Sequence, residues 1–251
     1  MNNSFSSIAF SQSPKGVLLF DIEGTITSIQ FVHYVLFPYA QKNLVPFVLR
    51  EQVINPLIRD CLEQVRTQAR DELKKEVSLY DSLELLLYWI KIDRKVTALK
   101  TLQGLLWREG YEKGDFTGHL YADVYPQWKK WKQQGFVMAI YSSGSVAAQR
   151  LLLQYSDYGD MTDFFSGYFD TLIGLKQNMK SYQRIKEEAQ KYFYTFNLKK
   201  VPLVFFSDRP EETAPARDAG FRTYLINRDG GRLSENEASY NNLSEIDLTN
   251  L

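Results

Sequence analysis

Short apolar runs recur along the chain, and each gives way to a polar residue of definite type. The run Gly16–Phe20 ("GVLLF") stops at Asp21, Phe136–Tyr141 ("FVMAIY") runs into Ser142 and Ser143, and "PLVFFSD" ends on Asp208. "FRTYLIN" (Phe221–Asn227) closes the series, and "GYFDTLIG" (Gly167–Gly174) reads as a shorter strand of the same kind. Runs of this length, bounded by Gly, Pro or Asp, predict strands buried on both faces. Between them the apolar spacing changes to the helical period. "ADVYPQWKKWKQQG" predicts a helix stopped by Gly135, and further helices are predicted over "VAAQRLLLQYS", "KSYQRIKEEAQKYF" and "PEETAPARDAG". Strand and helix in alternation predict a parallel sheet covered on both sides, an α/β core with its ligand at the carboxyl ends of the strands.

Residues 29–114 break that alternation. Charges fall on a helical period from Asn55 to Lys75, again over "SLYDSLELLLYWIKIDRK", where Asp81 is the predicted N-cap, and helix continues through "KVTALKTLQGLLWREGY". The block has little strand character. It reads as an all-helical cap inserted over the ligand edge of a core made of residues 16–28 and 115–251, with residues 1–15 a polar, flexible tail.

Composition narrows the functional classes. Lys plus Arg equals Asp plus Glu at 30 each, so no basic field suited to nucleic acid or an anionic membrane surface is present. Cys61 is the only cysteine, which excludes an intrachain disulfide, and His33 and His119 are too few for a His-rich metal centre. The first residues carry neither a basic, apolar signal sequence nor the arginines of a transit peptide, and no apolar run spans a bilayer. A cytoplasmic setting follows as the expectation, with the nucleus added in a eukaryotic cell.

The strand ends carry the chemistry. Asp21 and Asp208 together suit a hard divalent cation with oxygen ligands, as Mg²⁺ prefers. Ser142 and Ser143 offer hydroxyls, and the turn "SSGS" at a helix start offers N–H groups to a phosphate. Lys176, after the short strand, adds a point charge for the same anion. A carboxylate nucleophile, a cation and a phosphate cradle make phosphoryl transfer to Asp21 feasible. Singly, each feature has an ordinary alternative: Asp21 or Asp208 as a helix cap, "SSGS" as a loop, Lys176 as a solvated lysine. Jointly those alternatives require a coincidence at every strand end. His119 reads first as structural, Cys61 as packing, and Trp89, Trp107, Trp128 and Trp131 as core. For Trp107 and Tyr111, contact with a substrate tail is the weaker reading. Gly104 costs helix stability, and close backbone packing or substrate approach is the expected reason.

"DIEGT", "YSSGS", the lysine of "GLKQ" and the aspartate of "FFSD" resemble the motifs of the haloacid dehalogenase superfamily. "FDIEGTITSIQFVHYVLFPYA", "DRKVTALKTLQGLLWREGY", "YSSGSVAAQRLLL" and "FDTLIGLKQNMKSYQRI" narrow the likeness to the enolase-phosphatases of methionine salvage, over roughly residues 16–230. The resemblance implies a Rossmann-like parallel core with an inserted helical cap, acting as a monomer. It implies a Mg²⁺-dependent enzyme that enolises 2,3-diketo-5-methylthiopentyl-1-phosphate and then dephosphorylates the enol to an acireductone. By motif position Asp21 is nucleophile and metal ligand, and Glu23 is an acid/base whose backbone carbonyl meets the metal. Ser142, Ser143 and Lys176 bind phosphate, and Asp208 completes the metal site. The chain departs from the pattern after Asp208, where Arg209 and Pro210 stand and Glu211 or Glu212 is left to supply the supporting acid. A loop insertion is expected over "FYTFNLKKVP". The alternatives are a phosphatase of the same fold without enolase activity and, in another class, a silent phosphate-binding regulator. The intact Asp21, Lys176 and Asp208 oppose the latter.

Overall fold

A computed structural model of the protein describes residues 4–5, 14–74, 76–194, 201–228, 230, 238–249 and 251. The chain forms two compact units, one of Met1–Ile29 with Thr117–Leu251 and one of Gln30–Phe116.

The first unit is built on a seven-stranded sheet: β1 (Ser4–Phe5), β2 (Gly16–Phe20), β3 (Phe136–Tyr141), β4 (Phe165–Phe169), β5 (Leu203–Ser207), β6 (Arg222–Ile226) and β7 (Ser239–Tyr240). Their spatial order is β1-β4-β3-β2-β5-β6-β7. All neighbours are parallel except β1, which runs antiparallel to β4. From β2 the chain steps outward to β3 and β4, then returns to the other side of β2 for β5 and β6. That reversal puts the ligand crevice beside the carboxyl end of β2. Every residue of β2 to β5 is buried, as the continuous apolar runs require.

The sequence reading needs correction on the β1–β4 side of the sheet. Ser4–Phe5 is a strand rather than loose tail, because Phe5 lays its ring over the bare face of Gly167 and against Phe169 and Tyr192. Residues 1–3 and 6–13 lie outside the described residues, as do 195–200 of the expected loop insertion. The short strand expected over Gly167–Gly174 starts earlier, at Phe165, and stops at Phe169.

The second unit is helical: α1 (Ile29–Phe31, its first residue outside the unit's bounds), a π-helical turn over Val32–Leu36, then α2 (Phe37–Glu51), α3 (Pro56–Leu73), α4 (Leu79–Lys91) and α5 (Thr97–Lys113). Asn55 caps α3 by accepting from Leu57 N–H at 3.1 Å, with Pro56 behind it at the first turn. The cap of α4 is Ser78, not Asp81. Ser78 Oγ accepts from Asp81 N–H, while the Asp81 carboxylate accepts from Ser78 N–H at 2.9 Å, a reciprocal box. One core joins these helices around Leu44, Val65, Leu86 and the fully buried Trp89, with Cys61 packed among them. Tyr111 packs on Phe116, and Trp107 donates its indole N–H to Leu36 O at 3.0 Å, serving a carbonyl of the π turn.

Close backbone packing is not the reason for Gly104 in this unit: a Cβ there would meet no atom within 4 Å. Its cost to α5 is therefore not offset by packing. Gly104→Ala is expected to stabilise the protein by about 1 kcal/mol, read as a melting temperature raised by a few degrees. A lowered melting point would reveal a neighbour that the fold does not show.

Helices α6 (Val124–Gln133), α7 (Val146–Gln154), α8 (Met179–Tyr194) and α9 (Pro210–Asp218) complete the first unit. Alternation along β2 divides the core. Leu19 joins Tyr141, Phe205, Tyr182 and Phe193 on the α8 face. Phe20 faces Trp128 and Trp131 of α6 and stacks on Phe206 with centroids 4.6 Å apart and planes 9° from parallel. His119 is structural, as its isolation in the sequence suggests. Its Nδ1 accepts from Ser28 N–H at 3.2 Å and lies 3.0 Å from the Thr27 hydroxyl.

Candidate active site

Strand register brings the predicted residues to one level. Phe20 stands opposite both Ile140 and Phe206, and Tyr141 opposite Phe169. Residues 21, 142, 170 and 208 therefore leave the sheet at the same edge. Asp21 N–H is held by Phe206 O at 2.9 Å, and Ser142 N–H by Phe169 O at 3.2 Å.

Past Asp21 the chain turns tightly around the Ile22 carbonyl. Gly24 sits in the turn at φ +73°, and a Cβ on it would run into the carboxylate of Asp208. The glycine of "DIEGT" thus permits a left-handed residue and a close approach at once. Lys176 enters from the loop after β4. Its ammonium is buried and donates to Asp21 Oδ1 and to Glu212 Oε2, the latter at 2.7 Å. Ser207 Oγ steadies Glu212 from behind at 2.8 Å. Of the two acids left open after Asp208, Glu212 points inward, one helical turn beyond Asp208. Glu211 is exposed and faces Arg209 at 3.8 Å.

The second half of the site is built on "SSGS". Ser142 is fully buried. Its hydroxyl donates to Glu23 Oε2 at 3.2 Å and accepts from Gly144 N–H at 3.1 Å. Ser145 caps α7 through Ala148 N–H, and Asp170, at the end of β4, takes Val146 N–H. Those N–H groups are engaged within the protein, and the Ser142 hydroxyl is engaged with Glu23, so an anion at this turn would replace internal partners. Ser143 lies half-buried beside it in the same turn. Asp170 escaped the sequence reading because it follows a strand whose end was misplaced.

Carboxylates outnumber cations here. Burial pushes the Asp21 carboxyl above its usual 3.8, helped by Glu23 and opposed by Lys176. Burial, then Asp21 and Glu212, push Asp208 up to about 7. Glu212 is raised by burial and by Asp21 against the pull of Lys176. Burial works against the charge on Lys176, yet Asp21 and Glu212 hold its pKa above the ordinary lysine range.

This surplus of negative charge is the test of fit for a metal. Asp208 Oδ1 is buried without a hydrogen-bond partner among the described residues, beside the Asp21 carboxylate and the Gly24 turn. Among the described residues no three His, Cys, Asp or Glu side chains form a ready metal cage. Two adjacent buried carboxylates, one with an oxygen left open, suit a hard cation that keeps several waters, so the residues present fit Mg²⁺.

The comparisons with known proteins bear on the same residues. The model of the haloacid dehalogenase-like hydrolases matches residues 16–220. Enolase-phosphatase E1 of Erwinia tasmaniensis is 43% identical over 230 residues, 92% of this chain and 94% of that protein. The Enolase-phosphatase E1 of Klebsiella pneumoniae (strain 342) is 47% identical over 208 residues, 83% of this chain and 86% of that one. Among solved structures, the UTR4 protein of Saccharomyces cerevisiae aligns at a TM-score of 0.70 and 29% identity, covering 93% of this chain and 100% of that chain. The chain therefore belongs to the enolase-phosphatase E1 family of the haloacid dehalogenase-like hydrolases.

Proposed function

We propose that the protein is a bifunctional enolase-phosphatase that converts 2,3-diketo-5-methylthiopentyl-1-phosphate to an acireductone and phosphate. The observation that carries this is the paired arrangement at the β2 end. A buried Asp21 is clamped by Lys176, and one turn away Glu23 is hydrogen-bonded to the phosphate-binding Ser142.

Roles follow from those contacts. Ser142, Ser143 and Lys176 hold the phosphate against Asp21. Glu23, half-buried and on the phosphate side, takes the proton from the carbon beside the substrate carbonyl, and the carbonyl oxygen takes one from solvent water, giving the enol. An Asp21 carboxylate oxygen then attacks phosphorus. The ester P–O bond breaks, and the leaving oxygen collects a proton from Glu23. Water next attacks the aspartyl phosphate, giving its proton to Glu23, releasing phosphate and restoring Asp21; Glu23 then returns that proton to solvent. Lys176 offsets charge on Asp21 throughout, and Glu212 fixes the ammonium. Mg²⁺, held by Asp21, Asp208 and the Glu23 carbonyl, would supply the positive charge that polarises the substrate carbonyl and neutralises the phosphoryl oxygens. A cytoplasmic, monomeric enzyme goes with this reading. The buried, unpaired Cys61 supports the compartment, and no helix among the described residues is long and apolar enough to cross a membrane.

A pH dependence tests the metal part. Asp208 ionises near 3.8 unfolded and about 7 folded, so between those values the folded chain holds a proton that the unfolded chain has lost. Metal-free stability therefore falls as pH rises through that window. Mg²⁺ needs the ionised form. It is expected to raise the melting temperature more at about pH 8 than at about pH 5.5; equal shifts at both would remove Asp208 from the site.

The activity itself is tested by one time course on the diketo phosphate with Mg²⁺, following enol absorbance and released phosphate together. Enol first and phosphate second is the expected order. Phosphate from generic esters with no enol would leave Asp21 chemistry standing and make the protein a single-activity phosphatase.

A further inference from the structure

Arg228 lies just past β6, far in sequence from the reacting residues, and no motif draws attention to it. Its side chain is 6% exposed. Nε and Nη2 both donate to the Thr25 carbonyl, at 3.0 and 2.7 Å. Nη1 donates to Asp123 Oδ1 at 2.7 Å, and the guanidinium lies 4.3 Å over the ring of Tyr121. Asp123 is itself fixed by Leu243 N–H at 2.6 Å.

The loop that this fork grips needs outside support. Inside the turn, the single Ile22 carbonyl accepts from Thr25, Ile26 and Thr27 N–H, at 3.2, 2.9 and 3.1 Å. A carbonyl has two lone pairs, so these bonds are shared and weak. The next anchors come from outside: Tyr121 N–H on Ile26 O at 3.0 Å, and His119 on Thr27 and Ser28. Thr25 is the first outside anchor after Glu23, with Asp21 N–H on Phe206 O before it and Gly24 N–H closing the turn on Thr27 O at 2.8 Å. A fork with both prongs on one carbonyl fixes its direction as well as its distance, which a lysine cannot do. Glu23 Oε2 meets Ser142 Oγ at 3.2 Å, a contact that a small rotation of this turn would break.

We infer that Arg228 is a positioning residue for the reaction: by gripping the Thr25 carbonyl it sets where Glu23 stands relative to Ser142. This rests on the role given to Glu23 above. Misplacement by about 1 Å can cost on the order of 10²-fold in rate, so the effect belongs in kcat rather than KM.

The test uses the full chain with R228M and R228K. R228M removes the donors and keeps the bulk. R228K keeps the charge beside Asp123 without the fork. For each, kcat and KM are measured on the diketo phosphate and on an aryl phosphate, well below the melting temperature, and amide exchange is measured at residues 22–28 without substrate. In R228M, exchange at Gly24–Thr27 is expected to quicken about tenfold or more, and kcat to fall about 10–100-fold with KM within about threefold. In R228K the melting temperature is expected to recover while kcat stays low. Unchanged loop exchange, an unchanged kcat in R228M, or recovery of both kcat and melting temperature in R228K would overturn the inference. A wild type inactive on the diketo phosphate but active on the aryl ester would instead count against the enolase-phosphatase reading, with the kcat and exchange comparisons still deciding Arg228.

Discussion

Asp21→Asn is expected to abolish phosphate release, with turnover down by about 10⁴-fold or more, the scale on which loss of a covalent nucleophile registers. The amide keeps the shape of the carboxylate but cannot form the aspartyl phosphate. Stability should change little. Burial already disfavours ionised Asp21, and Lys176 keeps Glu212 as its partner. Glu23 and Ser142 are untouched, so enol absorbance should still rise, more slowly because Asp21 also helps hold the Mg²⁺ that polarises the substrate carbonyl, while phosphate does not. That dissociation separates Asp21 from the proton transfers. Near-normal phosphate release would remove Asp21 as nucleophile, and loss of both signals would place it in the enolisation as well.

Lys176→Met carries the largest expected effect on folding. Lys176 is 7% exposed and is the ammonium shared by Asp21 and Glu212. Its own pKa is raised, so in the wild type its contribution is complete below the ordinary lysine value and constant across neutral pH. Removing it leaves two buried carboxyls facing Asp208 without a cation. Breaking such a pair costs about 3–5 kcal/mol. The carboxyls escape by taking protons, so their folded pKa values rise further. Stability of the variant should therefore decline steeply as pH rises from acid to neutral, where the wild type is flatter. At about pH 8 and without metal the melting temperature should drop by roughly 10 °C, and much of that should return at about pH 5. Phosphate release should fall about 10²–10³-fold, as on losing a preorganised charge at a developing anion. A variant that melts like the wild type at both pH values would show that the ammonium is not what holds the two acids together.

The sequence made the middle of the fold legible and its margins less so, for a physical reason. Strands β2, β3 and β5 are apolar runs buried along their whole length, so their pattern is their own, whereas β6, expected to be buried on both faces, is buried only at Leu225 and Ile226. β1 and β7 are two-residue edges whose existence depends on a partner, Gly167 and Phe169 for the first and β6 for the second. The α4 cap was misplaced although Ser78 and Asp81 stand at capping-box spacing, because both are good cap residues and only backbone geometry ranks them. In the site, Asp21, Ser142, Lys176 and Asp208 could be found because each ends a strand or follows one. Glu212 could be narrowed only to a pair, since a helix start exposes one neighbour and buries the other. Arg228 could not be found at all: its meaning lies in a carbonyl more than two hundred residues upstream.

The stacked rings of Phe20 and Phe206 bear on the spacing of the site. They are cross-strand partners, and Asp21 and Asp208 follow one and two residues beyond them. Trp131 lies against both rings, and Tyr224 stacks on Phe206 from β6. The two acids thus leave strands whose separation is set by packed hydrocarbon, so a cavity cut into that layer, well below the carboxylates, would loosen the rim that carries them.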